Sequence, residues 1–155
     1  MCYEDLTIGR VYRTGSVDVT AGEITTFAAR YDPQIFHLDP IAAARTVFGG
    51  LVASGWLTAS LTMRLMMTGE FKFGGGVVGL GVESLQWPRP VRPGDRLTVA
   101  VEVTAMRTSA SKPDHGIVKI RTTTTNQDQQ VVQVMISNVL VPRRATPGGP
   151  PKAGG

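Results

Sequence analysis

Two residue types suited to moving protons stand five positions apart in the segment Tyr31-Asp32-Pro33-Gln34-Ile35-Phe36-His37, a carboxylate at Asp32 and an imidazole at His37. At neutral pH an aspartate is ionised and a histidine lies near its titration point, so the pair can take a proton from water and return one. Further along, Ser54-Gly55 opens an apolar stretch. A helix starting there has first-turn N–H groups without internal partners at the positive end of its dipole, where a developing negative charge is stabilised. Glycine at that tip allows close approach. Each residue also has a plainer reading. An aspartate before proline often bonds its own turn, a single histidine can be a buried group bonded to a carbonyl, and Gly55 can be merely an accommodating helix start.

For Asp32 and His37 to meet, the backbone between them must be irregular. On a regular helix a five-residue spacing sets side chains well over a hundred degrees apart, at about 100° per residue. Pro33 supplies the break, because the residue before a proline is pushed out of the helical region. Asp32 therefore ends a helix over residues 21–31, which Thr20 and Glu23 begin as a capping box and which buries Ile24, Phe27 and Ala28. The chain is expected to stay irregular until Asp39-Pro40, an N-cap followed by a first-turn proline, starts a short helix over 39–45. Gly49 and Gly50 then bend the chain into a second long helix, capped by Ser54 and spanning 55–67. It is apolar on nearly every face, Arg64 excepted, and so is expected to be buried all round. Met63, Met66 and Met67 read as core filling more readily than as an acyl tunnel.

A strand over 10–19 precedes these helices. Four more are expected over 77–87, 95–107, 116–125 and 130–141, rich in β-branched residues and separated by turn residues. Short connections imply an antiparallel sheet. The economical packing is α+β: a curved antiparallel sheet wrapped around the apolar helix, with exposed edges that invite a homodimer or a dimer of dimers. Residues 1–141 form one domain, and the Pro, Gly and basic residues of 142–155 are expected to be a disordered tail.

Composition narrows the classes. At 155 residues and 42% apolar the chain can bury an ordinary core. A single cysteine, Cys2, excludes an internal disulfide and suits a reducing, cytoplasmic home. The acidic N-terminus lacks a signal-like apolar core, and no run approaches a membrane span. The net charge of +4 is concentrated between residues 86 and 121, where Arg89, Arg92, Arg96, Arg107, Lys112, Lys119 and Arg121 outnumber Asp95, Glu102 and Asp114. Nucleic-acid binding would want interleaved aromatics, and only Trp87 is present there, so a phosphate-bearing small ligand fits better. Two histidines, one cysteine and scattered carboxylates make no metal constellation. Gly74-Gly75-Gly76 lacks the helix a nucleotide fingerprint needs.

Taken in order, these features resemble the hotdog fold and, within it, the MaoC-like dehydratases that include the (R)-specific enoyl-CoA hydratases. Asp32-Pro33-Gln34-Ile35-Phe36-His37 is similar to that family's D-x-N-P-[IV]-H. Ser54-Gly55 stands where its histidine-glycine pair opens the central helix, and Pro90-Val91-Arg92-Pro93-Gly94-Asp95-Arg96-Leu97 is similar to its P-V-x-x-G-D-x-[LV] element. The chain departs from the pattern in Gln34, in the position of Pro33 and in Ser54.

The resemblance implies hydration of a 2-enoyl thioester, on coenzyme A or a carrier protein, with no metal or redox cofactor and coenzyme A entering only as part of the substrate. Asp32 and His37 would hold the water and carry protons, and the Gly55 N–H would meet the thioester oxygen. Gln34, Ser54, Trp56 and Ser60 are the substrate-binding candidates beside them, although Ser60 also reads as a back-bonded core serine. Arg89, Arg92 and Lys112 are candidates for the coenzyme phosphates. The competing readings are a hotdog acyl-CoA thioesterase, against which the helix from Ser54 to Thr68 offers no carboxylate, and a non-catalytic acyl-CoA-binding subunit.

Overall fold

The computed structural model describes residues 1–145. After a short 3-10 turn at Tyr3–Asp5 come strand β1 (Val11–Asp18), helix α1 (Ala21–Tyr31), the single turns α2 (Ile35–Leu38) and α3 (Pro40–Ala43), and helix α4 (Gly55–Thr68). Four strands follow: β2 (Val78–Gln86), β3 (Arg96–Thr108), β4 (His115–Thr125) and β5 (Val131–Pro142). All pairings are antiparallel, in the order β1-β3-β4-β5-β2.

The alternation of β-branched and polar residues in β3 turns Leu97, Val99, Val101 and Val103 inward. There they join Val118 and Ile120 of β4, Val139 of β5, and Leu57, Leu61 and Leu65 of α4 in one core. This is the hotdog arrangement, a sheet wrapped on one apolar helix. Among the described residues no helix is long and apolar enough to cross a membrane.

Three expectations need correction. The segment between Pro33 and Asp39 is not wholly irregular, because His37 lies on the single helical turn of α2. Helix α4 is not buried on every side: Trp56 is 60% and Met63 46% exposed. Only the face carrying Leu57, Leu61 and Leu65 meets the sheet, and an apolar composition cannot by itself distinguish a core face from an uncovered one. Finally, Pro142 closes β5, and Arg143 and Arg144 after it are tied down. Arg143 Nε and the Arg144 N–H donate to the Glu4 carboxylate at 2.9 and 2.8 Å, and Arg144 Nη2 donates to Asp5 at 2.6 Å. The rest of the expected tail, residues 146–155, lies outside the described residues.

The sheet has two edges. β1 lies at one and β2 at the other. In β2 the side chains of Val78, Leu80 and Val82 are all more than half exposed, and Val82 shares a shallow groove with Met63 and Met66 of α4.

Candidate active site

Helix α1 delivers Asp32. Its N-cap Thr20 accepts from the Glu23 N–H at 3.1 Å, which is the forward half of the expected capping box and the only half that forms. At the other end Asp32 caps the helix with φ −152° and ψ 68°, outside the helical region as Pro33 requires. Asp39 caps α3 by accepting from the N–H groups of Ile41 and Ala42 at 2.8 and 3.2 Å. His37 is held between these two caps.

His37 is 5% exposed. Its Nδ1 lies 2.7 Å from the Val52 carbonyl oxygen. A carbonyl only accepts, so Nδ1 carries the proton, and in the neutral ring Nε2 presents a lone pair. The Val52 N–H in turn donates to the Phe36 carbonyl at 3.1 Å, so Val52 ties the α2 turn twice. Nε2 faces Asp32 Oδ2 across 3.3 Å.

The same Oδ2 accepts from Ser54 Oγ at 2.6 Å, and Oδ1 accepts from Gln34 Nε2 at 2.7 Å. The Ser54 hydroxyl, followed by Gln34, holds the Asp32 carboxyl below its usual range against the opposing effect of burial. Ser54 is fully buried, and its oxygen also accepts from the Trp56 N–H at 3.2 Å. One serine thus caps α4 and braces the acid.

Asp32, Gln34, His37, Gly55, Trp56 and Arg89 all line one open cavity of about 480 Å³, with Phe36, Phe48 and Trp87 forming aromatic walls. Gly55 is the first residue of α4, so its N–H has no intrahelical acceptor. The glycine is also sterically required: a Cβ built there would lie 2.6 Å from the Trp87 ring.

A MaoC-like domain model matches residues 5–126. The chain belongs to the MaoC-like dehydratase family. Among curated relatives, an (R)-specific enoyl-CoA hydratase from Aeromonas caviae is 40% identical over 108 residues, covering 69% of this chain and 78% of that one. The uncharacterized protein YdeM of Bacillus subtilis is 30% identical over 143 residues, covering 92% of this chain and 100% of its own. The crystal structure of the MaoC-like dehydratase from Rhodospirillum rubrum superposes with a TM-score of 0.90 at 44% identity, covering 94% of this chain and 99% of that one.

Four of the residues read from sequence stand outside this MaoC-like cavity. Ser54, read as a substrate-binding candidate, is fully buried behind Asp32 and braces the acid instead of lining the cavity. Ser60 is exposed, and its hydroxyl donates back to the Trp56 carbonyl at 2.8 Å, the usual fate of a mid-helix serine. Arg92 spends its guanidinium on the Phe48 carbonyl at 2.7 Å and so moors the loop that carries Phe48. Lys112 sits in the β3–β4 hairpin, beyond the far end of a 13-residue strand, roughly 40 Å of strand rise from Arg96. Phe36, Phe48 and Trp87, in contrast, were not among the candidates. Trp87 carried a signal, since an aromatic placed directly between a strand and the Pro88-Arg89-Pro90 run has little freedom to swing away.

Proposed function

We propose that this protein hydrates a 2-enoyl thioester to the 3-hydroxyacyl thioester, and catalyses the reverse dehydration. The observation that carries this reading is the 3.3 Å separation between His37 Nε2 and Asp32 Oδ2 at a cavity that also holds the Gly55 helix tip. A water lying in the cavity alongside the pair donates one hydrogen to Nε2 and stays beside Asp32 Oδ2. Nε2 is the base, because Nδ1 is engaged as a donor to Val52. Asp32, kept ionised by Ser54, steadies the imidazolium that forms.

The water O–H bond breaks toward Nε2 while its oxygen bonds the β-carbon. The alkene π pair moves toward the α-carbon and thioester carbonyl, and the oxygen charge is met by the Gly55 N–H. The imidazolium then returns its proton to the α-carbon. A preorganised donor of this kind typically contributes ~3 kcal/mol to the barrier. The hydratase from Aeromonas caviae supports the choice of an enoyl-CoA substrate, and Arg89 at the cavity is the cation best placed to meet its phosphates. Coenzyme A enters as part of the substrate, with no resident cofactor.

The acting unit is a homodimer. The free edge of β2, with the exposed apolar side chains of Val78, Leu80 and Val82 and the groove that Val82 shares with Met63 of α4, suits pairing with a second copy.

The test is to incubate the purified protein with 2-enoyl-CoA substrates of increasing chain length and follow loss of the conjugated absorbance, with Asp32→Asn as control. Hydration by the wild type alone supports the reading. Folded wild-type protein that leaves the absorbance unchanged across the series overturns it.

A further inference from the structure

The layer between sheet and α4 is mostly hydrocarbon, yet it encloses an amide among a few threonine hydroxyls. Gln133 of β5 is 0% exposed. Its Nε2 donates to Thr62 Oγ1 of α4 at 3.0 Å, and its Oε1 accepts from Trp87 Nε1 at 2.8 Å. Thr62 lies 2.7 Å from Thr124 Oγ1 of β4 and donates to the Thr58 carbonyl at 2.9 Å. Every polar atom of this buried chain is therefore paired, which is the condition under which such a network holds one geometry.

An apolar side chain of the same length would fill that space without any need for partners. What only an acceptor supplies is a fixed indole. Trp87 runs from that anchor to the tip of α4, where its ring occupies the place a Gly55 Cβ would need, and its outer side walls the cavity next to Trp56, with ring centroids 5.4 Å apart.

We infer that Gln133 is a positioning residue that acts through Trp87 to set the width of the acyl subsite beside the Gly55 helix tip. The substrate class rests on the thioester reading, while the anchored wall rests on geometry alone. Acyl groups branched next to the reacting carbons meet the indole, and straight ones pass it.

The experiment compares wild type, Gln133→Met, Trp87→Phe and the double variant on a straight and a methyl-branched 2-enoyl-CoA. Gln133→Met is expected to change the straight-to-branched ratio of kcat/KM by about tenfold or more, the lower end of what one methylene is worth in a shaped pocket. The change should fall chiefly in KM. Trp87→Phe, which loses the N–H, should shift the ratio in the same direction, and the double variant should add little, because both substitutions cut one link. An unchanged ratio in both single variants overturns the proposal, as do fully additive effects.

A second readout needs no turnover. Both tryptophans of the chain line the cavity, so in a Trp56→Phe background Trp87 emission reports binding of saturated straight and branched acyl-CoA. Weaker discrimination in Gln133→Met without any hydration by the wild type retains the wall and discards the hydratase reading. Equal discrimination with and without the amide discards the wall.

Discussion

Ser54 Oγ and Asp32 Oδ2 form the shortest side-chain hydrogen bond of the site, at 2.6 Å, and this bond is the main reason the Asp32 carboxyl stays below its usual range. Ser54→Ala removes it, so the carboxyl rises toward its ordinary value. Activity needs the ionised acid, and the acid limb of the pH–rate profile is therefore expected to move to higher pH. The stability linked to Asp32 follows the same sign. It is present above the ordinary aspartate range and is lost as pH falls through the depressed value, so in the variant, whose carboxyl titrates nearer the ordinary value, the loss is smaller and is complete at higher pH. A pH series of kcat/KM checks this, and a superimposable acid limb contradicts it.

Asp32→Asn and His37→Gln keep side-chain size and remove the proton carriers. Each is expected to lower kcat by about 10² to 10⁴-fold, the range of general acid–base contributions. Single-turnover kinetics measure it. A loss below tenfold in either would mean that the chemistry runs elsewhere.

Gly55→Ala tests the seat of Trp87. Alanine is the better helix former by up to ~1 kcal/mol, yet its methyl would lie 2.6 Å from the indole, and overpacking of that kind costs about 1–3 kcal/mol. Net destabilisation in urea, together with a fall in kcat/KM, is the expected result. Stabilisation would mean that the ring is not seated there.

Glu4 accepts from Arg144 N–H and Arg143 Nε, which in that order lower its pKa from 4.5 to about 2. A depressed carboxylate contributes stability that is present above its ordinary value and disappears as pH falls through the lowered one. The difference in thermal midpoint between wild type and Glu4→Gln should thus be widest above 4.5 and shrink toward 2. Calorimetry across that window checks the sign.

Val82 is 56% exposed on the free-edge strand β2. Val82→Lys puts a charge where a second copy would pair. Sedimentation velocity is expected to move from dimer to monomer, while Val47→Lys, on an exposed loop remote from that edge strand in the sequence, changes nothing.

The parts of this protein legible in its sequence are those fixed by local chemistry. Asp39-Pro40 stops and starts the chain whatever surrounds it, and Thr20 and Pro33 set the bounds of α1, so the approach of Asp32 to His37 could be read from spacing. Gln133 could not. In Val131-Val132-Gln133-Val134 simple alternation sends the glutamine outward if Val132 faces in, but a register shift sets Thr124 opposite Gln133 and Thr125 opposite Val131. Val132 is thereby left as the extra residue, and both it and Gln133 are buried. Arg92 and Lys112 were misplaced for a related reason: charge along a chain says nothing about which carbonyl or hairpin claims it. The uncovered face of α4 was hidden because Trp56 and Met63 are as apolar as the residues that meet the sheet.

The double tie between Val52 and the α2 turn has a consequence for how this scaffold can be altered. It staples the chain on either side of residues 38–51, so the imidazole is clamped at the base of that excursion while Val47 at its outer bend stands 94% exposed. Phe48 reaches the cavity wall from the same excursion. Lengthening or trimming the bend therefore offers a graftable handle for retuning which molecules are admitted, with the reactive ring left where it is.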